Sequence, residues 1–204
     1  IMDRYDTAEN RARRERRDAQ RNLERVLQAA HELFAERGAD VRMEEIAQRA
    51  GVGVGTIYRR FRSKEELFAA VSHVVCEDTH HSLQEAAHAG CDPASKLRAL
   101  VLVQYQRSAS QAALLQMPLG GANGTCGVFE QQELYDSLHL MLEHVIAEGQ
   151  RQGLLRQGNT TVLAALCLEL LSPRTFQHIA RVANADLEDL AAYTADFVLH
   201  ALRA

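Results

Sequence analysis

Apolar residues recur in this chain at the spacing of a helix and hardly ever at the alternate-residue spacing of a strand. Leu23, Val26, Leu27, Ala30, Leu33 and Phe34 fall at i, i+3, i+4, i+7, i+10 and i+11, with Arg, Glu and Gln between them. Near the other end Leu187, Leu190, Ala191, Thr194, Phe197, Val198, Ala201 and Leu202 repeat the pattern. Such stripes are buried by packing helix against helix, so an all-α fold is expected. Only three prolines interrupt 204 residues, and Ala, Leu, Glu, Arg and Gln, all good helix formers, dominate the rest.

Between these stripes the chain is punctuated at short intervals. Gly38 stops the first amphipathic helix. Met43, Ile46, Ala47 and Ala50 line a short second helix that Gly51 ends, and a very short third helix runs from Val54 to about Arg60, with Ile57 and Phe61 facing inward. Two short helices around a glycine, supported by a longer one, match a helix-turn-helix. Ser63 and Glu66 have capping-box spacing and open a fourth helix carrying Leu67, Val71, Val74 and Val75. Pro93 opens another through Leu97, Leu100, Val101 and Tyr105. A glycine-rich connection, Gly120 to Gly127, precedes a long helix from about Val128 to Gln152, which Gly153 ends. Thr160 or Thr161 is expected to cap a nearly all-apolar helix that Pro173 must kink or end. Three segments are expected: a flexible basic arm over residues 1–17, a helix-turn-helix domain over 18–63 and a helical domain over 64–204.

Charge divides the chain in the same place. The net charge is −4, but residues 1–64 carry +4 and residues 65–204 carry −8. A basic first third joined to an acidic remainder is the expected distribution when only the first part meets a polyanion. Arg11, Arg13, Arg14, Arg16 and Arg17 give the arm the chemistry to reach a phosphate backbone or a narrow minor groove. The start of the chain has no apolar stretch of a secretory signal, and its longest apolar run, Val162–Leu168, is too short to cross a bilayer. A cytoplasmic protein with no membrane partner is expected. Cys76, Cys91, Cys126 and Cys167 lie far apart without zinc-ligand spacing, so no metal site is expected, and Cys167 reads as a small core residue.

An ordered series of matches then appears: Leu33-Phe34-Ala35-Glu36-Arg37-Gly38, Ile46-Ala47-Gln48-Arg49-Ala50-Gly51-Val52, Gly55-Thr56-Ile57-Tyr58-Arg59-Arg60-Phe61 and Ser63-Lys64-Glu65-Glu66-Leu67. In these residues and their spacing the chain resembles the tetracycline-repressor (TetR-like) family. The resemblance implies an Ω-shaped homodimer, with an N-terminal three-helix DNA-binding domain and a larger C-terminal helical domain for ligand binding and dimerisation. It also implies a sequence-specific transcriptional regulator, most commonly a repressor that a small, mainly apolar effector releases from a pseudo-palindromic operator in double-stranded DNA. No cofactor and no catalytic residue is implied.

The residues of the third helix have chemistry suited to that role. Gly55 has no Cβ to hold the helix away from DNA. Thr56 offers a hydroxyl and a methyl to base edges, and Val54 is an apolar residue at the helix tip. Tyr58 resembles the family's phosphate-binding tyrosine. Arg60 can grip phosphate through a bidentate guanidinium, and Arg59 can point to phosphate or guanine. Lys64 adds charge at a helix N-terminus that already favours phosphate. Two positions depart from the family pattern. Val41-Arg42 stands where a Ser or Thr cap is usual, leaving Asp40 as a cap and Arg42 as a phosphate contact, and Gly53 stands where Ser is frequent near the start of the recognition helix.

For the C-terminal part, the resemblance implies a pocket among the middle helices, for which His73, Cys76, Tyr105, Met117, Phe129, His139 and Leu142 are candidates, His139 first among the histidines. A two-fold interface of four helices is expected from Leu163, Leu166 and Leu170 on one helix and Leu190, Thr194, Phe197, Val198 and Ala201 on the last. Two other readings stay open: a dimeric DNA-binding regulator without a small-molecule effector, and a helical enzyme, although no HExxH, GxSxG or P-loop motif is present.

Overall fold

A computed structural model describes residues 8–110 and 126–204. Every regular element among them is helical, and the chain divides into two compact units, the first ending at Val71 and the second beginning at Ser72.

The first unit holds α1 (Ala8–Arg37), α2 (Met43–Ala50), α3 (Val54–Tyr58) and the opening turns of α4 (Lys64–Ala89). Its core is the expected α1 stripe, where Val26, Ala30, Leu33 and Phe34 are buried, closed by Ile46 and Ala47 of α2, Ile57 of α3, and Leu67, Phe68 and Val71 of α4. Phe34 and Phe68 meet edge to face with ring centroids 5.4 Å apart, a geometry that aligns ring edge and ring face electrostatically. These α4 side chains explain why the unit extends to Val71 rather than stopping at Ser63.

A second revision concerns the N-terminal arm. Residues 8–17 are helical rather than a flexible tail, because α1 begins at Ala8. Ala, Arg, Glu and Gln favour helix without any packing, and Arg11 and Glu15 pair at i,i+4 spacing, 3.5 Å apart.

The second unit contains residues 72–89 of α4, then α5 (Pro93–Ser110), α6 (Cys126–Arg151), α7 (Thr160–Leu170), α8 (Pro173–Ala183) and α9 (Leu187–Leu202). α5 packs on α9 and α6 packs on α7. Leu97, Leu100, Tyr105, Leu138, Leu142, Ile146, Leu171 and Val198 form the centre of its core. The boundaries are written in local chemistry. Asp92 Oδ1 accepts from the Ala94 and Ser95 amides at 3.0 Å, with Pro93 as the first helical residue of α5. Gly153, at φ 71°, turns the chain after α6 so that Leu155 folds back over Gly149. The cap of α7 is Asn159, whose Oδ1 accepts from the Val162 amide at 3.1 Å; Thr160 and Thr161 follow it inside the helix instead of capping it. Pro173 both prevents α7 from continuing and opens α8, with Ser172 as cap, a helix that the periodicity did not reveal. The glycine-rich connection falls almost wholly in residues 111–125, outside the described residues.

Candidate nucleic-acid interface

The site is built by three caps in twenty-five residues. Arg42 precedes α2 in extended conformation, and the Glu45 carboxylate reaches back to accept from its amide at 2.9 Å. That bond, with the guanidinium of Arg37 at 2.8 Å, holds the Glu45 carboxyl below its usual range. Asp40, expected as the cap, instead lies in the single tight turn Gly38–Asp40. Gly51 then adopts φ 64°, and the Val52 amide donates to the Ala47 carbonyl at 3.0 Å. A left-handed residue here is what aims α3 away from α2. After α3, the Ser63 hydroxyl accepts from the Glu66 amide at 3.3 Å, while Glu66 reaches one residue further than a capping box requires, accepting from the Arg62 amide at 2.6 Å.

What α3 presents follows from having one inward anchor. Ile57 is buried, so the remaining positions turn outward: Val54 is 37% exposed, Tyr58 47%, and Gly53, Gly55, Arg59 and Arg60 are also exposed. Gly55 has an ordinary helical backbone, and a Cβ placed on it would meet no atom within 4 Å. Nothing among the described residues therefore requires glycine at that position, although glycine weakens the helix. Arg59 differs from expectation. Its Nε donates to the Gly55 carbonyl and its Nη2 to the Thr56 hydroxyl, each at 3.3 Å, so the guanidinium lies folded along α3 rather than extended. Thr56 is half-buried beneath it. Arg42 and Arg60 are exposed and Lys64 is half-buried.

Three acidic groups of this unit are occupied by arginines outside α3. Arg49 bridges Glu32 at 3.2 Å and Glu36 at 3.4 Å, and Arg37 takes Glu45. Three carboxylates are thereby held by Arg37 and Arg49, and Arg59 and Arg60 stand exposed at the end of α3.

Residues expected to line an effector pocket are scattered in the second unit. Tyr105 and Leu142 are buried, His139 is half-buried and lies 4.0 Å from Glu143, Cys76 is half-buried, and His73 is exposed beside Glu77 at 3.4 Å. Met117 and the Phe129 side chain lie outside the described residues. The Tyr105 hydroxyl bonds Thr194 Oγ1 at 2.7 Å, and burial pushes its phenol up in pKa. The Cys167 thiol is pushed to about 11 by burial, in line with a core position. Sequence reasoning missed Gln104 and Ser108. Both are buried on α5, and Gln104 Oε1 and Ser108 Oγ have no hydrogen-bond partner among the described residues, while Gln104 Nε2 donates to the Leu171 carbonyl at 3.3 Å. The signal was present: positions 97, 100, 101, 104 and 108 share one helix face, and the last two are polar.

The expected interface residues separate into two groups. Leu166 is 60% exposed and Phe197 63%, with Val162 and Tyr193, not foreseen, also open on the same two helices; Ala201 is exposed too. Leu190 and Val198, however, are buried in the chain's own core, Thr194 is engaged by Tyr105, and Leu163 and Leu170 are half-buried against that core. The two apolar faces of α9 lie about one residue apart around the helix, and burial assigns Leu190 and Val198 to the inner one.

Residues 26–71 match the family model of bacterial regulatory proteins, tetR family. An HTH-type transcriptional regulator of Staphylococcus aureus is 43% identical over 53 residues, 26% of this chain but only 29% of that protein's length. Two solved structures share the fold over most of both chains. The transcriptional regulator FadR from Bacillus subtilis, in complex with stearoyl-CoA, has a TM-score of 0.67 at 19% identity and covers 86% of this chain and 96% of its own. The TetR family regulator PfmR from Thermus thermophilus has a TM-score of 0.67 at 20% identity, covering 86% and 97%. Residues 26–71 thus carry a tetR family segment, and the chain as a whole has the all-helical fold of these solved regulators.

Proposed function

We propose that this protein is a transcriptional repressor, not an enzyme, that binds a pseudo-palindromic operator as a homodimer in the bacterial cytoplasm and is released by a small organic effector. The observation that carries the DNA-binding part is Gly55: a helix-weakening residue on an exposed helix bordered by Arg59 and Arg60, with no atom of the described residues needing its missing side chain. Its absence of a Cβ makes sense against a partner that approaches the backbone closely. A helix of five residues reaches only about 7.5 Å. One copy therefore offers few contacts to a major groove about 12 Å wide, and specific occupancy needs two copies. Val162, Leu166, Tyr193 and Phe197 supply exposed apolar surface for pairing α7 and α9 with a second subunit.

The effector reading rests on Gln104 and Ser108. Two buried polar atoms without partners among the described residues carry a desolvation penalty of about 1–3 kcal/mol each, and a ligand with a hydrogen-bond donor for Gln104 Oε1 and a matching group for Ser108 Oγ removes it. The surrounding core is apolar, so the ligand has an apolar body and a polar head, as stearoyl-CoA has in the FadR complex. Release follows from linkage: the ligand must bind the DNA-free conformation more tightly than the DNA-bound one.

Selection of bound duplexes from a random pool at fixed salt tests the reading. A recovered palindrome is expected. Tyr58→Phe and Arg60→Ala should weaken binding on all sequences alike, and Thr56→Ala, which also frees Arg59, should change base preference. Failure to retain any duplex sinks the proposal.

A further inference from the structure

We infer that α1 carries a second DNA-contacting surface, a helical rail of arginines that follows the phosphate backbone beside each half-site; the inference rests on the DNA-binding reading above. At 100° per residue, Arg14, Arg17, Arg21 and Arg25 fall on one face of α1, within an arc of about 80°. Residues 10–21 are all exposed, and the first buried residue of the helix is Val26, so these turns are held by local pairing rather than by packing. Arg11–Glu15 and Gln20–Glu24 are such pairs, the second at 3.1 Å. None of the four stripe arginines makes an ion pair among the described residues.

The stripe runs into the helix-turn-helix. Arg21, Arg25 and Gln28 line an open groove of about 600 Å³ whose other wall is Arg49 and Ala50 of α2. Arg25 reaches the turn itself, where a Cβ on Gly51 would lie 2.5 Å from its Nη2. Glu24 and Glu32 also line this groove. Glu32 is engaged by Gln28 at 2.9 Å and Arg49 at 3.2 Å, and Glu24 by Gln20. The four guanidinium groups therefore run from the turn that launches α3 to Arg14, a length of about 17 Å, with the Glu24 carboxylate beside them. A rail that is already helical loses less conformational freedom on binding than a tail of the same charge would.

The test compares the full chain with two triple variants, R14Q/R17Q/R21Q and R14K/R17K/R21K, on a random-sequence 40-bp duplex and on the selected operator. Gln and Lys both keep helix propensity, and circular dichroism verifies equal helicity. The Gln variant should show a log K against log salt slope shallower by about 0.9 for each contact removed. Its selected operator should be unchanged and its hydroxyl-radical footprint shorter at the outer edges. The Lys variant should keep the wild-type slope. A Gln variant that binds with the wild-type slope and footprint overturns the rail while leaving α3 recognition intact. Wild-type protein that binds neither duplex overturns both.

Discussion

Gly55→Ala sets stability and DNA binding against each other, and the structure assigns a sign to each. Gly55 occupies α3 with a helical backbone, and an added Cβ meets nothing within 4 Å. The substitution therefore adds helix propensity without strain, stabilising the fold by about 0.5–1 kcal/mol. For a chain of this size that raises the melting midpoint by about 1–4 °C. On DNA the same methyl occupies the space through which the helix approaches the groove. A misfit of this kind costs about 1–3 kcal/mol. Since about 1.4 kcal/mol is a tenfold change, the loss is about tenfold or more per half-site, and about a hundredfold when both subunits of a dimer carry it. Differential scanning calorimetry on free protein and fluorescence anisotropy with the selected operator, at one salt concentration, read the two effects separately. A variant that is stabilised and still binds with wild-type affinity would refute the close approach, and a destabilised variant would refute the reading of the open space around residue 55.

Other substitutions probe the second unit. Phe197→Glu, at a residue 63% exposed, should abolish dimers in sedimentation velocity while leaving the helical circular dichroism spectrum unchanged; Val198→Glu, in the buried face of the same helix, should unfold the chain. Gly149→Ala drives a Cβ into Leu155 Cδ1 and should lower stability in urea unfolding by about 1–3 kcal/mol, because Leu155 is buried and has little room to yield. The Lys96 ammonium, 2.7 Å away, holds the Glu148 carboxyl below its usual range. A depressed carboxyl pKa stabilises the fold above the unfolded value of 4.5 and loses that contribution as pH falls through the folded value. Glu148→Gln should thus reduce stability at pH 7 and flatten the decline below about pH 4.5 in acid titration of the midpoint, whereas an unchanged profile would deny the pair a role.

Much of the architecture was legible in the chain because it is set by chemistry between near neighbours. Helical spacing announced α1, α4, α5, α6 and α9, and Gly38, Gly51 and Gly153 marked turns that do take positive φ. The ordered residues from Leu33 to Leu67 marked α3, and Val54, Tyr58 and Arg60 are exposed there, since a short helix with one inward anchor leaves most of its other positions outside. Tertiary structure decided what periodicity leaves degenerate. α9 has apolar residues around more than half its circumference, so only packing against α5 could separate the buried Leu190 and Val198 from the exposed Tyr193 and Phe197. Packing likewise extended the first unit to Val71 through the Phe34–Phe68 contact, laid Arg59 along Thr56, and left Gln104 Oε1 and Ser108 Oγ buried without partners among the described residues. Local sequence dictates which residues can share a face; which of two available faces is buried depends on what the rest of the chain brings against it.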